Sequence, residues 1–290
     1  MKPAPFEYVA VSTAAEAVML LRQYGDDAKV LAGGQSLIPM LNFRLVQPNR
    51  LIDINPVAEL DYIRADESGV AVGALTRTGT LERSVEARRL VPLVTEAVQL
   101  IGHPSIRHRG TVGGSLAHAD PASELPAVAI ALDAELVLRN PDRERTIPAT
   151  EFFMGTFTTA REPDDLLTEV RFPAWPANSG FAFLEFSRRH GDFAVAGAAV
   201  MVALDAGRVS RAAIALCGVA GTPIRAPQAE QVLIGAVPSA SVARAAAEAA
   251  SAGLHPSSDI SGTGAFRRQV ARAYTERAIA RAFERAGVKP

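Results

Sequence analysis

Two short stretches hold the residue types from which an anion-binding site can be built: Leu31-Ala32-Gly33-Gly34-Gln35-Ser36-Leu37 and Gly110-Thr111-Val112-Gly113-Gly114-Ser115. Paired glycines permit positive φ and let consecutive main-chain N–H groups converge on one point, a concavity that suits a diphosphate. Hydroxyls at Ser36, Thr111 and Ser115 add donors. The stretches are far apart in sequence, so they grip one diphosphate from both sides only if the fold brings them together. Neither carries the Gly-x-Gly-x-x-Gly dinucleotide fingerprint, and neither continues into the Gly-Lys-Ser/Thr of a P-loop. Taken alone, each Gly-Gly pair reads as a turn.

Other groups invite chemistry and do not sustain it. His103, His108 and His118 lie near Asp120 and Glu124, but their spacing matches no zinc motif, and they read as surface histidines or as groups behind a ligand. Gly113-Gly114-Ser115-Leu116-Ala117 is one residue away from a Gly-x-Ser-x-Gly nucleophile elbow. An elbow takes its histidine from a distant loop, so His118 is a poor base. Cys217, the one cysteine, sits in the apolar run AAIALCGVAG and reads as a buried structural thiol. A single thiol holds no iron–sulfur cluster, zinc site or internal disulfide. Redox chemistry here would need a non-covalent organic cofactor or a partner chain. No catalytic side chain and no metal ligand is identified.

The chain that must position these groups has 290 residues, enough for two domains. With 30 Lys+Arg against 31 Asp+Glu it has no electrostatic footprint for nucleic acid or an anionic membrane. Its longest apolar run, Phe193 to Leu204, falls short of the ~18 residues of a membrane helix. The first residues, MKPAPFEYVAVS, do not resemble a signal peptide. A cytoplasmic protein is expected.

Several elements are signposted. Thr13 and Glu16 form a capping-box pair, Ala14, Ala17, Val18 and Leu21 share one helical face, and Gly25 is placed to end the helix. A strand Ala28–Leu31 runs directly into the first glycine pair. Leu51–Ile54 reads as another strand, and the turn cluster Asp66–Gly69 before Val70–Gly73 as a hairpin. A helix is expected over Leu93–Ile101, ended by Gly102, and a second over Pro126–Leu132 before a strand Ala134–Leu138. The Pro-rich segment Phe172–Gly180 marks a boundary, giving domains 1–176 and 177–290, with Trp175 packed between them. Strands are then expected at Phe181–Arg188, Phe193–Leu204 and Val209–Cys217, and helices at Ser241–Ala252 and Phe266–Ala286. The last helix carries Arg267, Arg268, Arg272, Arg277, Arg281 and Arg285. It reads either as a solvated face laced by i,i+4 pairs to Glu276 and Glu284 or as a partner-docking helix. The whole is α+β.

Seven segments, in order, carry a family resemblance: AGGQSLIPMLNFRL from Ala32, LIDI from Leu51, HPSIRHRGTVGGSLAHADPASELP from His103, FFMGTFTT from Phe152, LLTEVRFP from Leu166, SRRHGDFA from Ser187 and GVAGTPIRA from Gly218. Together they resemble the FAD-binding medium subunit of the molybdenum hydroxylases, the family of xanthine dehydrogenase and aerobic carbon monoxide dehydrogenase. The resemblance covers nearly the whole chain. It implies an FAD-binding domain of two α/β subdomains, of the vanillyl-alcohol-oxidase type, followed by a smaller C-terminal domain of antiparallel sheet plus helices. The segments Leu31–Leu37 and Thr111–Ser115 would hold the diphosphate through backbone N–H and hydroxyl groups. Glu124 matches a carboxylate position near the ribose and adenine, and Ile101 and Leu167 match apolar positions beside the nucleotide. Phe193 matches an aromatic position near the isoalloxazine. Gln35 stands where His or Gly is common and Ser115 where Asn is common. Leu184-Glu185 stands where some relatives have a Lys that would stabilise reduced flavin.

What the resemblance implies for function is an FAD-carrying electron-transfer subunit in a dimer of heterotrimers. A large subunit would carry molybdopterin and choose the substrate. A small subunit would carry two [2Fe-2S] clusters and deliver electrons to this FAD, which would pass them to an external acceptor. The rival readings are a free-standing flavin oxidoreductase and a non-catalytic scaffold subunit.

Overall fold

The computed structural model describes residues 2–288. The chain opens with a small parallel sheet in the order Glu7–Ala10, Arg50–Asp53, Ala28–Leu31. The helix Ala14–Tyr24 begins where expected: Thr13 Oγ1 accepts from the Glu16 N–H at 3.1 Å, and the Glu16 carboxylate accepts from the N–H of Ser12 at 2.8 Å. Gly25 ends it at a φ of +50°, which a glycine adopts without strain. Ala14, Ala17, Val18 and Leu21 are buried against Ile52, Ile54 and Val57, so the predicted apolar face is the packed one.

A second sheet is antiparallel throughout, in the order Ile63–Asp66, Gly69–Gly73, Leu166–Pro173, Glu135–Arg139, Glu144–Pro148. The expected hairpin is its first pair. Between residues 78 and 131 the chain is helical in short pieces: Thr78–Arg83, Val85–Leu90, Pro92–Val98, Pro104–Arg109, Val112–His118 and Glu124–Ala131. Every residue of Glu124–Ala131 is buried, which is why ELPAVAIA shows no polar face. One expectation is corrected here. The second glycine segment is not a loop: Thr111 is the N-cap of the helix Val112–His118, and Gly113 and Gly114 lie in its first turn.

The third sheet, Ser179–Phe186, Ala196–Asp205, Arg208–Cys217 and Ile224–Arg225, is also antiparallel. Its side chains alternate between two cores. Ala199, Met201, Ala213, Ala215 and Cys217 join the core made with the helices Pro92–Val98 and Glu124–Ala131. Ala198, Val200, Val202, Ala212, Ile214 and Leu216 face the helices Pro227–Leu233, Ala240–Ala252 and Gly264–Arg285. A strand covered on both faces reads as a continuous apolar run rather than an alternation, as this sequence does. Each Val, Ile or Leu so buried contributes ~1.5–3 kcal/mol.

Three details differ from or sharpen the sequence reading. The strand expected from Phe193 begins at Ala196, leaving Phe193 in the preceding loop. The C-terminal helix forms no i,i+4 ion pairs to Glu276 or Glu284 among the described residues. Instead Glu276 meets Arg244 of the neighbouring helix at 3.5 Å, Arg285 meets Glu96 at 2.7 Å, and Arg267 is buried with both Asp259 oxygens at 2.7 Å. These arginines tie the helix inward, because each has a carboxylate from another element within reach. Trp175 packs on the larger core with the Arg211 guanidinium 3.9 Å above its ring. No helix among the described residues is long and apolar enough to cross a membrane.

Candidate functional site

At the C-terminal end of the strand Ala28–Leu31 the backbone is arranged with its carbonyls tied inward. The Leu31 carbonyl accepts from Ile54 N–H at 3.0 Å, the Ala32 carbonyl from Asn55 Nδ2 at 2.8 Å, and the Gly33 carbonyl from Gln35 Nε2 at 2.9 Å. The carbonyls of Gly34 and Ser36 accept from Ile38 and Met40 as the helix Leu37–Asn42 starts. The N–H groups from Ala32 to Leu37 are left over: none has an acceptor among the described residues. Gly34, at a φ of +72°, makes this reversal possible. A row of unspent N–H groups at a strand end suits an anion, since backbone donors left without water or a partner are costly.

The second segment lies directly against the first. A Cβ on Gly33 would come within 2.5 Å of the Arg109 carbonyl oxygen and 2.8 Å of Gly110 Cα, and one on Gly110 within 3.8 Å of Gln35 Cγ. Most of its N–H groups are spent: Val112 on the Thr76 carbonyl at 3.0 Å, Gly113 on the Ala74 carbonyl at 2.9 Å, Gly114 on Thr111 Oγ1 at 3.1 Å and Ser115 on the Thr111 carbonyl at 3.0 Å. This corrects the expectation of two symmetric backbone nests. One segment offers a row of amides; the other offers the hydroxyls of Thr111 and Ser115 and the single N–H of Thr111, which has no acceptor among the described residues. Gly113 is a glycine because its Cα packs on Ala74, and a Cβ there would overlap the Ala74 side chain and backbone.

The other predicted positions have different environments. The loop after Phe186 folds onto the turn before Pro104, where a Cβ on Gly191 would meet the His103 ring at 2.9 Å and Gly102 at 3.2 Å. That contact brings the Phe193 loop beside partly buried Ile101. Phe193 itself is 55% exposed, an aromatic ring with no protein partner to hide it. Leu167 is buried in the larger core, in register with Leu138. Glu124 opens its helix at 4% exposure, and burial with the Asp120 carboxylate nearby pushes its pKa up to about 7. Glu185, which sequence reasoning noted only for the lysine it replaces, lies near it. Burial and the Glu124 charge push Glu185 up to about 8, and its Oε2 is buried without a hydrogen-bond partner. Behind it, Cys217 is fully buried and its thiol pKa is raised by the same burial and carboxyls.

The histidines do not gather. His103 stacks on His190 at 5.8 Å and His118 on Phe157 at 4.9 Å, and burial lowers the pKa of His118. The described carboxylates that do gather, Glu162, Asp164 and Asp165, are engaged by Arg22, Arg143 and Arg145. Two residues central to the glycine pair, Arg77 and Asn55, had no sequence signal beyond Asn55 following the strand LIDI.

Donors at a strand end, a glycine backbone approached closely and hydroxyls on the neighbouring segment suit the diphosphate of a dinucleotide. The comparisons with known proteins agree. A family described as the FAD binding domain in molybdopterin dehydrogenase matches residues 4–175, and the CO dehydrogenase flavoprotein C-terminal domain matches residues 181–282. The chain is 47% identical over 287 residues to the 6-hydroxypseudooxynicotine dehydrogenase complex subunit alpha of Paenarthrobacter nicotinovorans, covering 99% of this chain and 97% of that protein. It is 41% identical to the carbon monoxide dehydrogenase medium chain of Hydrogenophaga pseudoflava, over 98% and 99% of the two chains. Its fold matches a solved carbon monoxide dehydrogenase from Hydrogenophaga pseudoflava, lacking the Mo-pyranopterin moiety, with a TM-score of 0.96 and 43% identity over 98% and 99% of the chains.

Proposed function

Since the chain belongs to the FAD-binding medium-subunit family of the molybdopterin dehydrogenases, we propose that it is the electron-output subunit of a heterotrimeric molybdenum hydroxylase. In this reading a large subunit carries molybdopterin and selects the substrate. A small subunit carries two [2Fe-2S] clusters, and two such heterotrimers pair in the cytoplasm. Flavin, when bound, supplies acceptance of single electrons and release of two to an external acceptor. The FAD-binding domain would span residues 1–176 and the C-terminal domain 177–290.

The chain's own residues bind and orient. The free N–H groups of Ala32–Leu37 would take the diphosphate oxygens, with the hydroxyls of Ser36, Thr111 and Ser115 completing the cradle. Leu31, Val112, Gly113 and Gly114 shape its walls. Ile101 and Leu167 would give the nucleotide apolar surface, Glu124 would face its ribose and adenine side, and Phe193 would cover the flavin ring. No side chain is assigned acid–base or nucleophilic work.

The observation that carries this reading is the unspent row of amides set against Gly110–Thr111. An absorption spectrum of the purified chain, followed by release and identification of the cofactor, tests it. Flavin bands with FAD released on denaturation, and two further chains co-purifying, are the expected result. A protein that stays colourless after FAD is added would favour a scaffold. A yellow protein that turns over a small donor without partner chains would favour a free-standing oxidoreductase.

A further inference from the structure

Arg77 occupies a position that neither glycine segment could supply for itself. It stands between the hairpin ending at Gly73 and the helix Thr78–Arg83, opposite Thr111 in an isolated antiparallel bridge. Its Nη1 donates to the Arg109 carbonyl at 2.6 Å and its Nη2 to Asn55 Oδ1 at 2.7 Å. Asn55 Nδ2 in turn donates to the Ala32 carbonyl at 2.8 Å and to Asp53 Oδ1. The Arg109 carbonyl is also the atom against which Gly33 is packed. One guanidinium therefore reaches both segments: directly at Arg109, and through Asn55 at Ala32. Its planar fork presents two donors at a fixed spacing, which a lysine ammonium on a flexible stem does not reproduce.

The consequence lies in the peptide orientation. If the Ala32 carbonyl were released, the Ala32–Gly33 peptide could rotate, and the following N–H would leave the row that faces outward. If the Arg109 carbonyl were released, the contact with Gly33 that fixes the separation of the segments would loosen. No carboxylate lies within ion-pair distance of Arg77 among the described residues, so its charge is not cancelled in a direct pair.

We propose that Arg77 is a positioning residue for the FAD diphosphate, a clamp that holds the Ala32–Leu37 amides outward and the two glycine segments at binding distance. The proposal rests on the reading of that cradle as the diphosphate site. The test uses the full chain freed of flavin, titrated with FAD, ADP and riboflavin, with the apoprotein Tm recorded alongside. In Arg77→Met, FAD and ADP affinity should fall by the same factor, at least tenfold, while riboflavin affinity and the Tm stay unchanged. Arg77→Lys should not restore binding, and Asn55→Ala combined with Arg77→Met should cost less than the two losses multiplied. Equal FAD affinity in wild type and Arg77→Met overturns the clamp and leaves the diphosphate site standing. Recovery in Arg77→Lys overturns it in favour of charge alone, and an equal loss for riboflavin overturns it in favour of a structural role. Failure of the wild-type chain to bind FAD or ADP overturns the site itself, and the clamp with it.

Discussion

The carbonyl oxygen of Arg109 lies 2.5 Å from where a Cβ on Gly33 would stand, so at this point the two halves of the proposed cradle meet backbone to backbone. A side chain at 33 must push the Arg109–Gly110 peptide away, and both neighbours are backbone, which does not yield as a flexible side chain does. Gly33→Ala should therefore lower FAD affinity at least tenfold, and Gly33→Val should purify without flavin. The flavin-to-protein absorbance ratio of each variant checks this; full occupancy in Gly33→Val would refute the convergence of the two segments on one ligand.

Gly113 makes a different prediction. Its contact is with Ala74, on the sheet side of its helix, and its N–H is spent on the Ala74 carbonyl. Gly113→Val should act first on stability, through overpacking that costs roughly 1–3 kcal/mol or more, with flavin loss as a consequence. Thermal unfolding of the apoprotein separates the cases: a Tm equal to wild type would show that the glycine serves the ligand and not the packing.

Phe193 is the converse, a large apolar ring with little fold to support. At 55% exposure its truncation removes little buried area from the apoprotein. Phe193→Ala should leave the apoprotein Tm within ~1 °C, as surface substitutions usually do. It should weaken FAD and shift the flavin absorbance envelope. A Tm loss with unchanged flavin binding would assign the ring to the loop rather than to the cofactor.

These contrasts show what was legible in the sequence. The helix Ala14–Tyr24 was readable from Thr13, Glu16 and Gly25 because capping and period are local. The Ala28–Leu31 strand feeding a glycine pair was readable for the same reason. The two glycine pairs looked alike in sequence and are not alike in space. Whether a glycine admits a ligand or a neighbouring segment depends on what packs there, and Ala74 is 39 positions from Gly113. Arg77 and Asn55 were invisible because their role is a link between elements, with no spacing to announce it. Glu185 stands out in the sequence only for the lysine it replaces, since the burial and the Glu124 charge that change its chemistry come from the packing of other elements around it.

The Glu124–Glu185 neighbourhood gives the stability of the apoprotein a pH dependence of known sign. Burial raises Glu185 to about 8 and Glu124 to about 7, with Asp120 adding to Glu124 and the Glu124 charge adding to Glu185. Unfolded, both titrate near the ordinary glutamate value of 4.5. Between that value and their raised pKa the folded chain binds more protons than the unfolded one, so the stability these groups contribute is complete below pH ~4.5 and declines as pH rises toward 8. Other carboxylates, such as Asp165 beside Arg145, act in the opposite sense at low pH, so the difference between two proteins is the useful quantity. Glu185→Gln keeps the shape and cannot ionise. Its Tm should match wild type at pH 5 and exceed it by about 3 °C or more at pH 8, on the usual ~2–4 °C per kcal/mol for a chain of this size. Differential scanning calorimetry across pH 5–8 reads the difference directly. Parallel curves for the two proteins would mean that Glu185 is ionised in the folded chain and that a cation or solvent reaches its Oε2.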